Sequence, residues 1–474
     1  MKKFLLVNKI YFFSLSILSF SLLIFNFNKN NLSIDSEIGL ITLFLIFVIF
    51  LFNYVFIIKE TISEYPINIF FNLYILINIL VFTYNFNYIY DNTYFNIFYH
   101  EQNEPYIDFY IFLELYKKAI VIVLLTVIFL NFGFILTKKL IKNKIFNFFP
   151  ELKEQDFLRL IFFLLIIKLI SIFIFLFFNI IVPELINPIN LLIVGISFYS
   201  LIHFEKNKLI NIFIILFIFF ENIFLTYAIY KNIILLVICF IIIYNYKKKI
   251  SLIIFCLILV WVFLGQTFKV NFRQNQVNNA TVQEQNLNNN TEVEVQELNL
   301  KIPEFNPRPV VLRLTEPVVS LIRIKDLERI KKKIVKKDTI SIMAYSLIPR
   351  LFYKDKPEQD FAVWYTDYFF NVYQLNENAK KTVTYNIFWP SDFYLNFNYY
   401  GSIILSFIFG FILSLISKIL TNFQSSKLHF LFGLSIISGL TFPDYNISLM
   451  LSPVLLQTII LFILLKILIL LIKR

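Results

Sequence analysis

Long apolar runs separated by short polar connections dominate this chain, and their lengths match helices that cross a hydrocarbon core of about 30 Å. They fall near 10–27, 38–58, 66–86, 113–136, 157–181, 187–203, 209–230, 232–246, 250–267, 394–419, 428–446 and 448–471. The pattern predicts an all-α, polytopic transmembrane bundle of about twelve helices, about nine of them within 1–267 and about three within 394–474. The run at 232–246 is parted from its predecessor only by Lys231, and one interrupted element there would change every downstream orientation. Residues 268–393 lack such runs and read as one large extramembrane loop.

Composition agrees: with 58 % hydrophobic and 16 % charged residues, a water-soluble fold would leave too much apolar surface facing solvent. The net charge of +12 would suggest nucleic acid in a soluble domain. Here the lysines sit in short clusters between apolar runs, where they orient helices and meet anionic headgroups of membrane lipid; no nucleic-acid partner is expected. Lys2, Lys3 and Lys9, then Lys59, Lys138, Lys139, Lys142, Lys144, Lys206, Lys208, the 247–249 cluster, Lys418, Lys427 and Lys473 all fall on one side of a twelve-span bundle, with Lys29 and Lys231 as exceptions. The positive-inside tendency then makes both termini cytoplasmic and the large loop external or periplasmic. Residues 1–27 resemble a signal peptide but lack a small-residue cleavage site, so an uncleaved first helix is predicted. Cys239 and Cys256 lie in apolar runs, and no metal or other cofactor is expected.

The loop has its own texture. Residues 271–300 are rich in Asn, Gln, Glu and Val and read as a poorly ordered excursion. From Pro317 to Val335, apolar residues at 321, 324, 327, 330 and 334 predict an amphipathic helix with a cationic face that could lie along the membrane. Pro349 and Pro357 then bracket a turn holding Arg350, Lys354 and Lys356, and 358–392 is rich in aromatics, including Trp364 and Trp389. Such rings suit either headgroup anchoring or stacking on a sugar.

Six of the eight arginines lie in this loop, including Arg308, Arg313, Arg323 and Arg350. Guanidinium donors grip phosphate oxygens in bidentate fashion and stabilise a diphosphate as a leaving group. Arg323, Lys325, Arg329 and the lysines that follow could equally form the wet face of a helix. Glu316 follows Arg313 by three, a spacing that suits a functional pair or an ordinary ion pair. Asp392 could take a proton from an acceptor hydroxyl or could cap the helix beginning near Tyr394. Glu114, Arg159, Lys168 and Glu221 interrupt apolar context and are expected to snorkel or to face the bundle interior.

IPRLFYKDKP at 348–357 resembles a loop of the Wzy-like O-antigen and capsule repeat-unit polymerases, with Arg350, Asp355, Lys356 and Pro357 matching and Tyr353 and Lys354 departing from the family pattern. Asp392, Tyr394, Leu395, Asn396, Phe397 and Gly401 are similar to the family's next motif, with Asn398 in place of its first glycine; RLTEPVVSL, holding Arg313 and Glu316, resembles the segment that opens the family loop. The resemblance implies a metal-independent membrane glycosyltransferase that polymerises undecaprenyl-diphosphate-linked oligosaccharides. Arg350, Asp392 and Glu316 would be catalytic, and Arg308, Arg313, Arg323, Lys354, Lys356, Trp364 and Trp389 would bind diphosphate or glycan, with a chain-length regulator as a further partner. The alternatives are an O-antigen ligase or other lipid-linked-sugar transferase, and a flippase or exporter of lipid-linked oligosaccharides.

Overall fold

A computed structural model describes residues 109–141, 146–178, 183–204, 207–224, 308–332, 387–421, 425–437 and 447–473, with further positions at 71–89, 234–242, 334–345, 364–365 and 440. Eight helices are delimited among the described residues: α1 (Phe109–Leu140), α2 (Glu154–Phe178), α3 (Pro183–His203), α4 (Lys208–Phe224), α5 (Arg308–Lys331), α6 (Trp389–Leu420), α7 (Lys427–Ile437) and α8 (Ile447–Lys473).

The α1–α6 pair forms the centre. Ser402, Ser406, Gly410 and Ser414 recur every fourth residue on α6 and are all buried, a stripe of small residues that lets two backbones approach without side chains between them. A Cβ on Gly410 would overlap the Leu130 carbonyl, and one on Gly133 would overlap the Phe407 carbonyl. Thr137 Oγ1 adds a bond across the seam to the Phe411 carbonyl at 3.1 Å. Because Gly133 meets Phe407 and Gly410 meets Leu130, while Lys118 and Tyr399 share a cavity further toward the N-termini, the two helices run parallel. A buried amide pair, Asn72 with Asn131, fastens an earlier segment to α1 through bonds of 2.8 and 3.0 Å.

Around this pair the helices turn polar groups inward and apolar groups outward, the arrangement that suits lipid. On α4, Leu209, Phe213, Leu216 and Phe220 are exposed, whereas Asn211 and Asn222 are buried. Lys168 of α2 and Glu221 of α4 form a buried ion pair, with the Lys168 ammonium 5.4 Å from the Phe217 ring centre. On α8, Leu455, Ile459, Ile463 and Ile467 form an exposed ridge at a spacing of four. The chain is a membrane-associated, all-α protein.

Three helices among the described residues are long and apolar enough to cross a membrane: Phe109–Thr137, Trp389–Leu420 and Val454–Lys473. This corrects the expectation of a bundle of about twelve spans. An apolar run in sequence is not a helix of that length. Within the run at 428–446 the described helix, Lys427–Ile437, has 11 residues, roughly 16 Å, and its side chains from Leu428 to Ile437 are all buried in protein. Among the described residues Pro188–His203 of α3 is a shorter apolar stretch, and α2 carries Asp156, Arg159 and Lys168 within its described apolar stretch. The runs expected at 10–27, 38–58 and 250–267 lie outside the described residues.

At the C-terminal end of the central pair, Phe148 ties the bundle together. Its N–H donates to His429 Nδ1 at 3.2 Å, its carbonyl accepts from Lys466 of α8 at 2.6 Å, and its ring packs edge-on to Phe462. The His429 Nε2 is 2.9 Å from the carbonyl of Ile419 near the end of α6. The ends of α1, α6 and α8 therefore share one side, and that side carries Lys138, Lys139, Lys418, Lys466 and Lys473.

Gly410→Val forces α6 off Leu130 and is expected to cost about 1–3 kcal/mol. Reversible unfolding of the purified protein in detergent measures the loss, and unchanged stability would reject close α1–α6 packing.

Candidate functional site: the N-terminal ends of the central pair

The loop helix α5 packs against the N-terminal regions of α1 and α6. It begins at Arg308, nine residues before the start expected from its apolar periodicity. Between Thr315 and Ile324 almost every side chain is buried, including Val318, Val319, Leu321 and Ile322. Among the described side chains of α5 the exposed cations are Arg329 and Lys331 in the last turn, followed by Lys332 just beyond it. Pro317 lies inside the helix and contributes no N–H. Ser320 Oγ reaches both the Pro317 carbonyl at 3.1 Å and Ser391 Oγ at 2.7 Å, joining α5 to the first turn of α6.

Arg323 is 2 % exposed, and its Nη1 donates to Glu316 Oε1 at 2.5 Å and to the Tyr365 hydroxyl at 3.1 Å. The partner of Glu316 is thus Arg323, two turns on, which shares its helix face. Tyr365 in turn donates to Glu316 at 3.3 Å. Burial pushes the Tyr365 phenol far above its usual range, keeping the proton in place for that bond. This triad locks α5 to the segment around 365; a charge so enclosed costs several kcal/mol when its partner is removed.

Asp392 is likewise enclosed. Its carboxylate accepts a short bond from Thr339 Oγ1 and one from Asn396 Nδ2 at 3.2 Å. Asn396 also accepts from the Thr339 N–H at 2.8 Å, and the Lys337 N–H donates to the Leu395 carbonyl at 3.1 Å. Residues 337–339 are thereby strapped across the start of α6. The helix starts at Trp389, and Phe388 is its N-cap residue, so Asp392 lies one turn inside and is not the cap. There its negative charge complements the helix dipole.

Six residues beyond Asp392, α6 breaks. Asn398 has φ 58° and ψ −161°, in the positive-φ region that glycine tolerates better than any side chain. Gly401 meets the Phe397 side chain at this kink, where a Cβ would overlap it. The broken helix separates a polar, buried N-terminal part from the apolar span that follows.

Beside this break, Glu114, Lys117, Lys118, Val121 and Ile122 of α1, Lys325 of α5 and Tyr399 of α6 line an open cavity of about 460 Å³. Lys325 Nζ is held by Glu328 Oε2 at 3.1 Å and by a short bond to the Tyr394 hydroxyl, and lies 4.1 Å from the Tyr394 ring centre. Lys118 pairs with Glu114 at 2.7 Å on an exposed face. Three ammonium groups line the cavity, against Glu114 in its lining and Glu328 beside Lys325, and the net positive charge suits an anion.

The residues singled out from the sequence scatter. Asp392, Glu316 and Arg323 belong to the buried clamps. Trp389 is a core residue, its ring 5.6 Å from Phe71 and Phe393 and 5.9 Å from Phe409. Trp364 is half-buried beneath the Lys337 ammonium at 5.0 Å. Arg308 and Arg313 lie on the first turns of α5, and Arg350, Lys354 and Lys356 lie outside the described residues. The cavity lysines 117 and 118 were missed, although their cluster with Glu114 near the start of an apolar run was a visible signal.

No family model, curated protein or solved structure matches this chain. Three candidate spans among the described residues do not supply the architecture of about twelve spans on which the Wzy-type polysaccharide polymerase expectation rested. Assignment to O-antigen or capsule polymerisation is therefore withdrawn, as are the ligase and exporter alternatives drawn from the same architecture. No group of three His, Cys, Asp or Glu suited to a metal occurs among the described residues.

Thr339→Val removes the hydroxyl bonded to a buried carboxylate and is expected to cost about 1–3 kcal/mol, measured by reversible unfolding in detergent; a neutral outcome would reject the strap. At the kink, Asn398→Gly should match or exceed the original unfolding midpoint, whereas Asn398→Val should cost about 1–3 kcal/mol.

Proposed function

We propose that this protein binds a phosphate-bearing, lipid-linked substrate of the polyisoprenyl diphosphate class where its helices emerge from the membrane. The observation that carries this is the seating of α5, with Lys325, Arg329 and Lys331 along its C-terminal half and Lys332 just beyond its end, on the N-terminal ends of two parallel apolar spans. Cationic donors at the edge of apolar helices match the two parts of such a molecule: phosphate oxygens accept from ammonium and guanidinium groups, and the chain remains in lipid. The lysine-rich ends of α1, α6 and α8 support a cytoplasmic placement for that side and an extracytoplasmic one for the substrate side. What is assigned is recognition, with no reaction step attached.

Titrating the purified, detergent-solubilised protein with a short-chain polyisoprenyl diphosphate and with the matching neutral polyisoprenol tests this. The diphosphate is expected to bind at least about tenfold more tightly, a difference of about 1.4 kcal/mol, and the preference should shrink with salt. Equal affinities would overturn the proposal. A reporter placed after Lys332 should respond from outside the cytoplasm; a cytoplasmic response would reject the orientation.

A further inference from the structure

The cavity between α1, α5 and α6 has a polar rim and an apolar floor. Lys117 and Lys118 stand at its rim, and Val121 and Ile122 follow one turn deeper on the same helix. Lys325 enters from α5 with its ammonium already oriented by Glu328 and Tyr394, which lowers the cost of fixing it on a ligand. Tyr399 closes the α6 side immediately beyond the break at Asn398. Glu114, the lining carboxylate, is occupied with Lys118 in an exposed pair, and pairs of that kind contribute little stability.

We infer that this cavity is the seat of a lipid phosphate: Lys117, Lys118 and Lys325 donate to its oxygens, Val121 and Ile122 receive the first carbons of its tail, and Glu114 yields Lys118 to the incoming anion. The inference rests on the lipid-phosphate binding proposed above and names residues for it on α1, within a span, in place of the loop arginines. The shared chemistry is a phosphate ester on an apolar chain, and the volume of about 460 Å³ accommodates that headgroup. Free phosphate would use the rim and leave the apolar floor in contact with water.

The test uses the full-length protein in detergent, titrated with a short-chain polyisoprenyl diphosphate, a short-chain phosphatidylglycerol and inorganic phosphate. The double variant Lys117→Gln/Lys118→Gln is expected to weaken lipid-phosphate binding by about tenfold or more, whereas Lys153→Gln, on the exposed opposite end, should bind as the original protein does. Glu114→Gln should bind about threefold more tightly, a gain that a misfolded variant cannot imitate. Undiminished binding by the double variant, or no gain from Glu114→Gln, would overturn the site, and inorganic phosphate binding as tightly as either lipid would overturn its amphiphile character. If the original protein ignores polyisoprenyl diphosphate yet binds phosphatidylglycerol through these lysines, the cavity stands and the substrate class proposed above falls. If it binds neither lipid, both fall.

Discussion

Backbone contact between α1 and α6 is the constraint on which the rest depends. Lipid tails are as apolar as leucine, so helices in a membrane gain little from hiding apolar side chains from one another; they associate through close packing and through bonds between groups that lipid cannot satisfy. The Ser402, Ser406, Gly410, Ser414 stripe and the opposing Gly133 provide both. Large residues at those positions would keep the helices apart and dissolve the geometry at their N-terminal ends.

Those ends hold an unusual density of buried polar groups. Arg323 with Glu316 and Tyr365 ties two parts of the loop together, while Asp392 with Thr339 and Asn396, and Lys325 with Glu328 and Tyr394, fasten loop residues to α6. Each is costly to bury and more costly to leave half-made, so together they specify one docking arrangement of α5. The break in α6 at Asn398 belongs to the same design. A helix whose first turns are fastened to the loop while its remainder follows α1 must change direction, and the positive φ absorbs the turn at one residue. The polar residues most conspicuous in the sequence are thus largely occupied in holding the site in place. The cavity lined by less conspicuous lysines is what stays open to a ligand.

Much of the secondary structure was legible. The apolar runs at 113–136, 394–419 and 448–471 each fall within a described helix, because an apolar stretch of about 20 residues has few alternatives to a spanning helix when water is absent. The helix in the loop was recognisable from its period, although its early start at Arg308 was not: the apolar period begins only near Pro317, whereas Pro309 near the start of a helix costs little, and at 317 the Ser320 hydroxyl and dense packing hold the turn. The number of spans was not legible, since apolar length does not reveal where protein replaces lipid around a segment. The run beginning at 428 shows this: the 11 residues of its described helix are wrapped in other helices.

By itself the sequence determined the apolar surroundings this protein requires and a loop of concentrated positive charge, because composition and charge are sums over residues and need no knowledge of contacts. Only the tertiary structure decided which charges are spent on one another. Arg323 finds Glu316 7 residues away, Asp392 finds the Thr339 hydroxyl 53 residues away, and both disappear from the surface, while Lys325, paired with Glu328, comes to line one cavity with Lys117, 208 positions away. The energy of a charge depends on distance and on exclusion of water, and both are properties of the folded arrangement.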